Sequence, residues 1–233
     1  LVATDGRIYT KKVSSTEGDY ACGILEGIEQ VLVAFNLTDV NIAEVTHGTT
    51  VASNTILQMS GPRTGLITTL GFRDVLELRT LRMPRLYDLR WEKPPPLVER
   101  YLRVEVDERV DTRGQVQKAL DRENAQNAVN RLLEEGVEAI AVCLINSFSN
   151  PINERLLSDV IRETAPEVPC CISYDVLPEI KEYERTSTTV INAYLLPVIR
   201  GYLNSLECRL QDSGIDAPVL LMQSNGGLTS VEQ

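Results

Sequence analysis

The stretch between residues 125 and 173 constrains the fold of this chain more tightly than any other. Ala125, Ala128, Val129, Leu132 and Leu133 recur at helical spacing, and Gly136 stands where that helix can end. The run AIAVCLI at 139–145 follows, apolar throughout, and reads as a strand buried on both faces. A second helix then turns Leu156, Leu157, Val160 and Ile161 inward, before a short strand over 168–173. Helix, strand, helix, strand is the order of βαβ units packed as layers, so the class is α/β.

The flanks extend this reading. LVATDG predicts a strand entering a turn at Asp5-Gly6, with RIYTKKV as its return partner. Domains rarely begin inside a hairpin, so further sequence is expected before Leu1. Residues 19–34 predict a helix capped by Asp19, with Ile24, Leu25, Ile28, Val31 and Leu32 on one face. Residues 44–46 lead into a loop, HGTT, and a helix over 51–59 precedes the strand GLITT at 65–69. Pro94, Pro95 and Pro96 fix an extended connection, and a strand over 101–109 returns through a turn at 111–115 as a hairpin.

The longest helix is expected over 179–213, where Val190, Tyr194, Val198, Tyr202, Leu206 and Leu210 recur every four residues. Pro197 should bend or divide it. A strand over 217–222 opens onto the loop SNGG at 224–227, and a unit begun so late is expected to continue beyond Gln233. The domain division that follows is 1–178, then 179–233 as a connecting helix and the beginning of a second domain. No internal repeat is present.

Composition narrows the function classes. With 33 acidic against 23 basic residues and a net charge of -10, the surface repels phosphate at long range, which argues against nucleic acid and anionic membrane as partners. No apolar run is long enough to cross a bilayer and the opening lacks a signal peptide's apolar core, so a soluble, cytoplasmic protein is expected. The 5 cysteines are odd in number and show no CxxC spacing. Buried or partly buried thiols in a reducing compartment fit better than disulfides or structural zinc, and adjacent Cys170 and Cys171 would point to opposite sides of a strand.

Two polar concentrations can carry chemistry. The single histidine, His47, sits in VTHGTTVASN, where Gly48 allows close backbone approach and Thr49, Thr50 and Asn54 bring hydroxyl and amide groups to a helix start. Imidazole suits proton transfer or polarisation of a carbonyl, and the orphan N–H groups of the helix can receive a developing oxyanion. The alternative is structural: His47 holds a strand-to-helix corner and Thr50 caps the helix. The second concentration is EIKEYERTSTTVIN at 179–192, where Glu182 and Arg185 lie three apart and the hydroxyls of Thr186, Ser187, Thr188 and Thr189 cluster. That segment can line a polar cleft with an Arg fork, or be a solvated helix start laced by charge pairs. SNGG is weak as a phosphate loop, and neither GxxxxGK[ST] nor GxGxxG occurs. Asp107 and Glu108 would point apart along a strand and make a poor glycosidase pair.

Several long motifs together resemble the hydantoinase A and 5-oxoprolinase family, which includes N-methylhydantoinase A and subunits of acetone and acetophenone carboxylases. They are HGTTVASNTIL at 47–57, GLITTLGFRDVLEL at 65–78, MPRLYDL at 83–89, KPPPLVER at 93–100, EYERTSTTVINAYLLP at 182–197 and PVLLMQSNGG at 218–227. Gln58, Met59, Ser60 and Gly61 stand where the family often carries a charged ERKG-like stretch. The resemblance implies a mixed-sheet ribonuclease H-like or actin-like ATPase lobe, here incomplete at both ends. The acidic, glycine-rich phosphate loops would precede Leu1 and follow Gln233, so ATP and Mg2+ are implied for a full-length protein, with none expected to bind this piece tightly.

The resemblance also implies an ATP-dependent cyclic amidase opening a hydantoin or lactam, such as N-methylhydantoin or 5-oxoproline, with a hydantoinase B-type subunit or domain as partner. The alternatives are a subunit of an ATP-dependent ketone carboxylase and a non-catalytic structural subunit of such a complex. Carried onto this sequence, the catalytic candidates are His47, Thr49, Thr50 and Asn54, and the substrate-binding candidates Glu182, Glu184 and Arg185.

Overall fold

The structure is a computed structural model that describes residues 1–14, 20–37, 42–80, 87–88 and 90–230. The expected cap Asp19 and most of the MPRLYDL segment lie outside the described residues. In chain order the elements are α1 (Tyr20–Ala34), β1 (Val45–His47), α2 (Val51–Gln58), β2 (Thr64–Thr69), α3 (Val75–Leu78), β3 (Arg103–Val106), β4 (Arg109–Val110), β5 (Val116–Lys118), α4 (Arg122–Glu134), β6 (Ala139–Cys143), α5 (Ile152–Thr164), β7 (Cys170–Ile172), α6 (Ser173–Val176), α7 (Glu182–Asp212), β8 (Val219–Met222) and β9 (Leu228–Ser230). They fall into two compact units. One comprises Leu1–Ala52 with Ile199–Gln233, the other Ser53–Val198.

The continuous unit is built on a parallel sheet in the order β3-β2-β6-β7. Ile67 in β2 stands opposite Val104 on one side and Val142 on the other. Every residue of β2 and of β6 is buried, which is what an apolar strand covered on both faces requires. Helices α4 and α5 pack on each other, α4 also on β3 and α5 on β6 and β7, and Leu132, Leu157, Val160 and Ile161 are sealed in the core. Asp121 caps α4 by accepting from Asn124 N at 3.1 Å, and Gly136 ends it in the left-handed region at φ 70°. A 3-10 turn at Arg100–Leu102 takes the start of the expected 101–109 strand, a break at Asp107 and Glu108 divides the rest into β3 and β4, and β4 returns as the expected hairpin with β5. Asp107 and Glu108 do point apart: Asp107 reaches Lys118 at the surface while Glu108 is buried.

The discontinuous unit has a mixed sheet in the order β1-β8-β9, with β1 and β8 parallel and β9 antiparallel. Its core gathers Ala21, Leu206, Leu210 and Val219, flanked by Ile24, Leu25 and Ile28 of the predicted α1 face. The N-terminal hairpin is a single antiparallel bridge, Val2 to Ile8, closed at Gly6 with φ 84°. SNGG is the turn between β8 and β9, with Gly226 at φ 86°.

Two expectations need correction. His47 is the last residue of β1, paired in register with Leu221, and not part of a loop. Helix α7 runs through Pro197 undivided, so of the two outcomes expected there division does not occur, and the boundary between the two units falls after Val198. Proline there removes one backbone donor and crowds one carbonyl, a local penalty of about 3 kcal/mol that flanking packing offsets at Tyr194 and Leu206, both buried.

Candidate functional site

His47 is half-buried at the C-terminal end of β1, where its ring faces α7. Its Nε2 lies 2.6 Å from the Tyr202 hydroxyl, with the rings tilted by 46° and their centroids 5.6 Å apart, so the contact is a hydrogen bond and not a stack. Burial lowers the imidazole's pKa below its ordinary value of 6.5 and raises that of the phenol, keeping both neutral at pH 7. Thr49 Oγ1 accepts the Val51 N–H at 3.2 Å, tying it to the first turn of α2, and its hydroxyl offsets part of the effect of burial on the Tyr202 phenol. Thr50 is exposed immediately before that helix. At Gly48 an added methyl would meet nothing nearer than Met222 Cβ at 3.9 Å, so close packing does not demand glycine there.

Beside His47 a cavity of about 450 Å³ opens, walled by the apolar side chains of Ile24, Ile28 and Val31 and by Tyr9, Lys11, Glu44 and Thr46. An apolar wall with a few polar groups is the usual make-up of a small-molecule pocket. With Nε2 held by Tyr202, the neutral imidazole at its edge has Nδ1 left to meet a ligand, which suits a carbonyl or amide group better than an anion.

Asn54, Glu182, Glu184 and Arg185 belong to the other unit. Asn54 and Glu182 are exposed and Glu184 is half-buried, whereas Arg185 is fully buried. Arg185 Nη2 donates to the Leu144 carbonyl at 2.8 Å, and its guanidinium lies 5.5 Å from the Phe148 ring centre, so it clamps the turn leaving β6. Its Nε and Nη1 are buried with no hydrogen-bond partner. The clustered threonines have a local explanation. Thr186, Thr188 and Thr189 each donate 2.7 Å back to the carbonyl four residues earlier, which satisfies their hydroxyls within the helix.

A buried network that the sequence did not reveal lies at the carboxyl ends of the parallel strands. Glu154 accepts from Leu144 N at 2.8 Å, Ser173 Oγ at 2.6 Å and Tyr174 N at 3.0 Å. Glu108 accepts from the Thr69 hydroxyl and from Asn153 Nδ2, and Thr69 Oγ1 accepts from Ile145 N at 2.9 Å. Burial pushes both carboxyl groups above their ordinary pKa. The network fixes the turn after β6 and the start of α6, at the edge where open parallel sheets carry their ligands.

Among the described residues no three His, Cys, Asp or Glu side chains converge on a point that could hold a metal ion. The SNGG turn spends its Gly227 N–H on its own Asn225 at 2.8 Å. Among the described residues, then, neither the SNGG turn nor a convergence of acidic side chains forms a cradle for ATP and Mg2+. No helix of the described residues is long and apolar enough to cross a membrane.

Fold and site together define a mixed α/β protein in which a strand-end imidazole, kept neutral by burial, is hydrogen-bonded to a helix-borne phenol. The hydantoinase/oxoprolinase N-terminal region matches residues 1–165, the hydantoinase/oxoprolinase region matches residues 185–233, and the chain belongs to that family. It is similar to the caprolactamase subunit alpha of Pseudomonas jessenii, 33% identical over 98% of this chain and 34% of that protein. The solved structure of that organism's ATP-dependent caprolactamase superposes with a TM-score of 0.88. It is also similar to the acetophenone carboxylase gamma subunit of Aromatoleum aromaticum, 32% identical over 99% of this chain and 34% of that one. Nucleotide-free acetone carboxylase shares the fold at a TM-score of 0.88 and 25% identity, covering 100% of this chain and 35% of that structure. The chain thus spans about a third of the length of these proteins.

Proposed function

We propose that this protein is an ATP-dependent amidohydrolase that opens a cyclic amide, a hydantoin or lactam such as N-methylhydantoin or 5-oxoproline. The observation that carries this reading is the similarity to a caprolactamase subunit along 98% of the chain. His47 is the acid–base group, neutral at working pH and hydrogen-bonded through Nε2. Thr49 and Thr50 are the polar catalytic candidates beside His47, and in the other unit Asn54 remains a catalytic candidate and Glu182 and Glu184 substrate-binding candidates. Arg185, the third substrate-binding candidate, is fully buried, and its bond to Leu144 makes it first an organiser of the turn after β6. ATP and Mg2+ are requirements of the whole protein, a hydantoinase B-type subunit or domain is its partner, and the cytoplasm its compartment. Residues 1–178 form the N-terminal domain, and 179–233 the connecting helix and the beginning of the next.

A second reading, a subunit of an ATP-dependent ketone carboxylase, draws on the 32% identity to the acetophenone carboxylase gamma subunit. A non-catalytic subunit of such a complex is the third. The experiment that separates them is phosphate release and product analysis on the whole protein with its encoded partners, cyclic amides against ketones plus bicarbonate. Ring-opened amide supports the proposal. A bicarbonate-dependent product without ring opening reverses it, and no turnover of either leaves the non-catalytic role.

A further inference from the structure

We infer that Asn225 is a site of spontaneous self-modification: the Gly226 backbone nitrogen displaces its side-chain amide, and the turn between β8 and β9 gains a carboxylate. Asn225-Gly226 is the only Asn-Gly pair in the chain. Ring closure onto an asparagine needs an uncrowded nitrogen on the next residue, an electrophilic amide carbon and access for water. The SNGG turn supplies all three. Gly226 stands at φ 86° with open space where a side chain would begin. Asn225 Oδ1 accepts the Gly227 N–H at 2.8 Å, which draws electron density from the amide carbon and folds the side chain back on its own turn. Residues 222–228 are all exposed.

One contact opposes the reaction. Gly226 N donates to Gln223 O at 2.9 Å, and that bond must open before the nitrogen can attack. A single turn hydrogen bond open to water is worth about tenfold at most in an equilibrium, so it slows the step without preventing it. The step itself needs only water. The Gly226 nitrogen bonds to Asn225 Cγ, the Cγ–NH2 bond breaks, and ammonia leaves with the proton that the nitrogen gave up. Water then opens the resulting five-membered imide at either carbonyl. One opening gives an ordinary aspartate, the other an isoaspartate whose main chain runs through the side-chain carbon. The isoaspartate lengthens the turn that closes Met222 on Leu228, and either product adds negative charge to a chain already at -10.

The test is peptide mapping by mass spectrometry of the whole protein aged at pH 8 and 37 °C, beside a synthetic peptide of residues 219–230 aged in the same buffer. Asn225 should lose its amide faster than every other asparagine of residues 1–233, within about tenfold of its rate in the peptide, the margin that the Gln223 bond allows. Asn225→Gln, which could close only a six-membered ring, should leave the position intact over the same period. Gly226→Ala should slow the loss in protein and peptide alike, and the peptide reports the effect even if alanine at a positive φ disturbs the turn. Another asparagine reacting first, a lag behind the peptide of more than about tenfold, or an unchanged rate in the Gly226→Ala peptide overturns the inference.

Discussion

Glu154→Ala removes an acceptor on which three buried donors converge. Its side chain is fully buried, and it receives Leu144 N at 2.8 Å, Ser173 Oγ at 2.6 Å and Tyr174 N at 3.0 Å. After truncation the Ser173 hydroxyl can turn to Ser147 Oγ, 3.1 Å away, but the two backbone N–H groups lose their acceptor. An orphaned buried donor costs about 1–3 kcal/mol, so the loss is about 2–6 kcal/mol before any void is counted. Glu154→Gln keeps one oxygen and turns an amide NH2 toward a donor, so its loss should be smaller. It also tests the sign of a pH effect. Burial raises the folded-state pKa above the ordinary 4.5, so the folded chain holds this proton more tightly than the unfolded one. The contribution is full below about 4.5 and is lost as pH rises through the elevated folded value. Glu108, raised for the same reason, adds a slope of the same sign that remains in both variants. Urea melts by far-ultraviolet circular dichroism between pH 4.5 and 7 should show the parent losing stability faster with pH than Glu154→Gln. An alanine variant within about 0.5 kcal/mol of the parent, or a glutamine variant with the parental slope, would refute the reasoning.

Two further outcomes follow from packing. Gly65→Ala in β2 would bring its methyl to 2.8 and 2.9 Å from the two Leu132 methyls, which are sealed in the core, so destabilisation of about 1–3 kcal/mol is expected in denaturant melts. Combined with Leu132→Val the two losses should sum to less than their separate effects, and strict additivity would mean that the contact relaxes elsewhere. All five cysteines are free thiols; four are buried or partly buried as expected, and Cys208, on α7, is exposed against that expectation. Burial pushes Cys143 up and Cys170 to about 12, so alkylation mapped by mass spectrometry should mark Cys208 far ahead of either, and equal rates would contradict the burial.

The core of the continuous unit was legible because it follows a local period. Ala125, Val129 and Leu132 on α4 and the unbroken apolar run of β6 announce a two-sided sheet without reference to anything distant. Glu154 was not legible. An acidic residue in the first turn of a helix is ordinary, and its burial depends on Leu144 and Ser173 arriving from the two strands beside it. Tyr202 was hidden differently, counted correctly on the apolar stripe of α7 while its hydroxyl serves a histidine 155 residues away. The threonine cluster misled in the opposite direction, because hydroxyls that looked available for a cleft are bonded to their own helix.

The central claim is that His47 does chemistry and does not merely hold the end of β1. The direct measurement is cyclic-amide-coupled ATP turnover by His47→Ala in the whole protein, with its melting curve recorded on the same sample. Loss of a positioned acid–base group lowers turnover about 100- to 10,000-fold. Loss of one structural hydrogen bond costs only about 0.5–1.5 kcal/mol of stability, spread over the fold without selectivity for chemistry. The account predicts near-parental melting with turnover lost on that scale; a folded variant with parental turnover, or a fall in melting temperature that matches the loss of activity, would contradict it.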